Sequence, residues 1–185
     1  MVNLEITAKG EQPTEKDLET IAAQLGRNPR DVSAVAHRCP CGQADVVTTP
    51  PRLADGTPFP TFYYATCPKL TGAISTLESS GLMNEMSQRL QSDLKLAGEY
   101  LAAHVDYEAA RKALAAILKL DVPEISGITA GGMPDRVKCL HSLVAHSLAV
   151  GTGVNPLGDE ALAALDPWWL SKPCSVIENL INEEQ

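Results

Sequence analysis

Five cysteines and four histidines are the residues of this 185-residue chain best suited to hold a metal or form a covalent bond. They are clustered. His37, Cys39 and Cys41 lie together, Cys67 precedes a proline, and Cys139, His141 and His146 share the stretch from Arg136 to Leu148. Zinc and iron–sulfur centres take thiolate and imidazole donors, arranged tetrahedrally around each metal ion. Cys39-Pro40-Cys41-Gly42 is one residue shorter than the Cys-Pro-x-Cys-Gly spacing of a zinc-binding turn. So close a pair seldom turns both sulfurs to one ion, so Cys39 is the preferred ligand and Cys41 a spare. The set assembled in this way is Cys39, Cys67, Cys139 and His141, with His146 as the other choice of imidazole. Zinc is expected ahead of an iron–sulfur cluster. Four protein ligands would close such a site, and three plus a water would leave it open for hydrolysis. Two competing readings make the thiols small buried apolar groups, or one of them a nucleophile. Cys174 stands far from any other donor in the sequence and reads as a core thiol.

Other residues could hold an anion or move a proton. Gly131-Gly132 leads towards Arg136 and Lys138, and a helix starting there would offer unpaired N–H groups beside two cations. The Gly-Lys-Ser/Thr spacing of a phosphate-binding loop is absent. His104, Tyr107 and Arg111 recur at i, i+3 and i+7 and share one helix face, bringing a base, a hydroxyl and a cation together. His146 is a further proton carrier, and Asn155 could orient a ligand. The expected proton carriers are therefore His104, Tyr107 and His146, and the expected substrate contacts are Arg111, Arg136, Lys138 and Asn155. Each also has a plain structural reading as a solvated helix face, a turn or a cap. Trp168-Trp169 fits a core or a partner contact.

Several elements must position these groups. Thr14-x-x-Asp17 is a capping box, and Gly26 supplies a left-handed stop for the helix between them. An Ala-x-x-Leu-Gly turn follows that helix as in a DNA-reading helix-turn-helix, but Pro40 and the acidic balance favour a strand next. Val32–Val35, Asp45–Thr49 and Thr61–Ala65 read as three short strands of an antiparallel meander. Helices are expected at Thr71–Ser80 and Leu82–Leu90, then a long one from a Ser92 cap to Leu120. Leu94, Ala97, Leu101 and Val105 form its first apolar stripe, with Ala110, Leu114 and Ile117 as the second. Pro134 opens the cysteine–histidine helix and Gly151 closes it. A terminal helix and an acidic tail complete the chain. The expected fold is a mostly helical α+β domain over residues 14–175, between a flexible start at 1–13 and a tail at 176–185.

The bulk numbers bound the function. A net charge of -8 disfavours nucleic acid, because phosphate neutralisation needs clustered Lys and Arg. No apolar run is long enough to span a membrane, and the first residues lack a basic-then-apolar pattern, so a cytoplasmic protein is expected.

Phe59-Pro60-Thr61, Thr66-Cys67-Pro68, Lys138-Cys139-Leu140-His141 with Ala145-His146, and Asn155-Pro156-Leu157-Gly158 follow in order. In these motifs the chain resembles the bacterial domain-of-unknown-function family number five hundred and one, frequent in high-GC Gram-positive bacteria. The resemblance covers roughly residues 25–165 and implies a fold but no reaction. It places the family's pattern on Cys39, Cys67, Cys139 and His141, and on His104, Tyr107 and Arg111. Relatives often lack a cysteine at the position of Cys41. Family members are commonly encoded near a septum-formation initiator and an exopolyphosphatase, an association with cell division or phosphate stress. The leading expectation is a zinc protein with a pocket for an anionic or phosphorylated small molecule, with metal-assisted hydrolysis the first reaction class. The other is an adaptor with structural zinc that meets a protein partner.

Overall fold

The structure, a computed structural model, describes residues 10–29, 31–170 and 174. The expected terminal helix and acidic tail lie outside them. Among the described residues six α-helices surround one small sheet in an α+β arrangement: α1 (Glu15–Leu25), β1 (Ala34–Arg38), β2 (Ala44–Thr48), β3 (Tyr63–Ala65), α2 (Pro68–Glu78), α3 (Leu82–Ser92), α4 (Leu94–Leu118), α5 (Leu140–Val150) and α6 (Pro156–Ala163). The capping box forms as the sequence predicts, with Thr14 and Asp17 bonding each other's backbone, and Gly26 terminates α1 in the left-handed conformation. A strand, and no reading helix, follows that turn.

The sheet is antiparallel in the order β1-β2-β3. Ala34 faces Thr48 across the first pair, and Val46 faces Ala65 across the second. Its two faces bury different partners. Val35, Ala44 and Val47 pack with Ile21 of α1. Val46 and Tyr63 join the main core with Tyr100, Tyr107, Leu140 and Leu143 of the helices. Glu11 exchanges two backbone hydrogen bonds with Val35, so the chain ahead of α1 is tied to the sheet from that residue onward.

Two helices depart from the expected pattern. Asp93, not Ser92, caps α4, and the expected first stripe is largely exposed: Leu94, Leu101 and Val105 face solvent. The buried face runs through Leu96, Tyr100, Ala103 and Tyr107, because tyrosines provide more apolar area there than the leucines do. The cysteine–histidine helix starts at Leu140 with Cys139 as its cap, so Pro134, Arg136 and Lys138 precede it in non-helical chain. α6 then lies against α5 at Gly158, where any side chain would meet the Leu143 carbonyl and Ser147 Oγ.

Candidate functional site

The sheet brings three of the thiols together. Cys39 and Cys41 sit in the β1–β2 turn, which Cys39 closes with backbone bonds to Gln43 and Gly42. Gly42 takes a positive φ there, a conformation that a residue with a Cβ adopts only with strain. Since Ala65 pairs with Val46, the chain two residues past Ala65 reaches the level of Ala44, beside that turn. Cys67 stands there, fully buried, as the N-terminal cap of α2. Cys174 completes the group. Its sulfur lies 3.9 Å from that of Cys39, and the donor atoms of Cys39, Cys41 and Cys174 all lie within 4.8 Å of one another. The Cys67 thiol contacts Cys174 as well. Burial pushes the Cys39 thiol up to about 11, and burial together with the neighbouring sulfurs pushes Cys174 higher still. A dication among them would reverse that cost, since a coordinating thiol is deprotonated outright.

A second group forms around Cys139, and the expected ligand set is thereby divided between two places. Glu78, Cys139 and His141 bring their donor atoms within 4.8 Å of one another. His141 Nε2 lies 3.1 Å from the Thr71 carbonyl, so that nitrogen carries a proton. Its Nδ1 lies 3.2 Å from Glu78 Oε1, and the same oxygen accepts the Leu140 backbone N–H at 2.6 Å. An imidazole that donates from both nitrogens is an imidazolium. The hydrogen bond to Cys139, supported by Glu78, pushes His141 up to about 9. Burial works against the Cys139 thiolate, yet the His141 bond and the Ser142 backbone N–H hold this thiol below its ordinary value. An imidazolium has no lone pair for a metal. A metal held by these three donors would displace a proton from the ring, and without one the group also suits nucleophilic chemistry.

Five of the remaining predicted residues, His104, Tyr107, Arg111, His146 and Asn155, are built into the core. Tyr107 OH accepts the Phe62 N–H at 2.6 Å. Arg111 donates to the carbonyls of Pro60, Ile128 and Ile125 at 3.0, 2.6 and 2.7 Å. His104 Nδ1 meets Thr129 Oγ1 at 2.9 Å. His146 is fully buried, stacks on Tyr63, accepts from Asn155 and meets Asp106 through Nε2 at 3.1 Å. Asn155 also caps α6 by accepting the Gly158 N–H. Arg136 and Lys138 are exposed. Neither lines the cleft beside Cys139.

Two contributors escaped the sequence reading. Glu78 is an unremarked residue at the end of α2, with no spacing signal that ties it to position 141. Cys174 had no neighbour in the chain to mark it.

Fold and site define a small α+β protein with thiol-rich donor groups of a kind that can hold a metal. The chain belongs to the family described as "Protein of unknown function (DUF501)", which it matches over residues 35–163. Comparison with curated proteins and with solved structures returns no match. Both donor groups lie within the matched span except for Cys174.

Proposed function

We propose that the protein binds a single zinc ion through Cys39, Cys41, Cys67 and Cys174, as a closed structural centre. The observation that supports this most is the sulfur spacing. Zinc–sulfur bonds of about 2.3 Å imply tetrahedral sulfur–sulfur edges of about 3.8 Å. Cys39 and Cys174 stand 3.9 Å apart. An iron–sulfur cluster has more than one metal between its cysteines and needs wider spacing, so a mononuclear ion fits better. Four thiolates leave no open position, which favours structural zinc over metal-assisted hydrolysis. The centre would join the β1–β2 turn, the start of α2 and the chain at Cys174.

Elemental analysis of protein purified without an affinity tag tests this reading. A single zinc per chain is expected, lost in Cys39→Ser and Cys67→Ser and kept in Cys139→Ala. Zinc that survives Cys67→Ser, or that disappears in Cys139→Ala, would overturn the ligand set.

A further inference from the structure

The geometry points to a second, covalent site: Cys139 is the nucleophile of a cleft that accepts acyl esters or thioesters with a short apolar acyl chain. The cleft, about 500 Å³, lies where α1, β3, α2 and α5 meet, and Cys139, His141 and Ser142 form one wall. Cys139 is partly exposed and caps an 11-residue helix, whose first N–H groups favour a thiolate. His141 and Glu78 cluster beside it, and the ring is fixed by Glu78 at Nδ1 and the Thr71 carbonyl at Nε2. The lowered Cys139 pKa agrees with this arrangement.

Three observations define the ligand. The first is charge: among the described residues no Lys or Arg lines the cleft, which argues against phosphates. The second is unmet hydrogen bonding. Gln24 and Thr66, both on the cleft, are buried, and Gln24 Oε1 and Thr66 Oγ1 lack a hydrogen-bond partner. A buried polar atom left unpaired costs stability, and of the two the Thr66 hydroxyl is a donor that an ester carbonyl can accept from. The third is the neighbouring pocket of about 180 Å³, which shares Leu25 and Tyr64 with the cleft. Its walls are mostly apolar, with Ile21, Val32, Val47 and Leu53 among them. A carbonyl held at Cys139 can thus send an apolar chain past Tyr64 into that space.

The step balances without a further reactant except water. The Cys139 thiolate attacks the carbonyl carbon, the carbon–sulfur bond forms, and the bond to the alkoxide or thiolate leaving group breaks. The leaving group takes a proton from the His141 imidazolium. Water then attacks the acyl-cysteine, His141 takes its proton, and the carboxylic acid departs, restoring thiolate and imidazolium.

Incubation of the zinc-loaded full chain with p-nitrophenyl butyrate, followed by intact mass and peptide mapping, tests the assignment. The expected result is one butyryl group on the peptide holding Cys139, with faster p-nitrophenolate release from the butyrate than from the acetate. Cys139→Ala should release it at least ~100-fold more slowly. Val32→Trp, which narrows the apolar pocket, should remove the preference for butyrate. A butyryl group on another cysteine, neither an adduct nor p-nitrophenolate release above the buffer rate, or an unchanged rate in Cys139→Ala would overturn the proposal. Mapping on the unaltered protein decides the matter even if a variant folds poorly. The zinc reading stands or falls separately, because it shares no residue with this one.

Discussion

At the level of single residues, Arg111 carries its charge into the core of the domain. A cation at i+7 from a histidine looks like a ligand contact, yet it is buried and spends its donors on three backbone carbonyls. Burial alone lowers its pKa, and its partners are neutral dipoles, so it acts as a fastener between α4 and the loops at 60 and 125–128. Arg111→Met keeps much of the apolar stem but orphans those carbonyls. A loss of about 3 kcal/mol is expected in urea unfolding, with the zinc content of the refolded protein unchanged. A loss within error would mean that water replaces the guanidinium at no cost. The cysteines show the converse case. Their identity as donors was legible, but their grouping depends on strand register and on Cys174, and local spacing encodes neither.

At the level of elements, the outline was legible wherever a cap or a stop is local. The Thr14–Asp17 box, the Gly26 stop, the three strands and the Gly151 stop of α5 all follow from residues within a few positions of the boundary. The face of α4 was not legible, since leucines and tyrosines both recur at helical spacing and only packing against Tyr63 and Leu140 selects the tyrosine side. How α1 docks was equally hidden. Arg38 of β1 reaches Asp17 through both oxygens, at 2.8 and 3.0 Å. The Arg38 guanidinium holds the Asp17 carboxyl well below the usual carboxylate range, burial opposes this, and Thr14 adds to it. A depressed carboxyl contributes stability that is full above its unfolded pKa of about 3.9 and fades as pH falls towards the folded value. Urea stability of the protein should therefore decline as pH falls from about 5 to 3, and Asp17→Asn should flatten that limb. Parallel slopes for the two proteins would remove Asp17 from the acid response.

At the level of the whole molecule, the two thiol groups are joined by α2. Cys67 caps its start, Thr71 one turn on accepts from His141, and Glu78 at its end holds the other imidazole nitrogen. With Cys67 at its start and His141 held along its length, α2 would be a rigid connection between the centres if Cys67 ligates the proposed zinc. If zinc fixes Cys67, it also fixes the wall against which His141 is aligned, and small misplacements of aligned groups are costly to rate. Stripping the metal with a chelator should therefore slow butyryl transfer to Cys139 on the order of 10-fold, while the protein remains folded. Cys174→Ser should slow it similarly, although position 174 lies outside both α2 and the cleft. Rates measured with and without chelator, on protein whose fold is checked by circular dichroism, separate the cases. Equal rates would mean that the centre only secures the chain at Cys174, and that α2 keeps its place through Leu70 and Ile74 packed in the core.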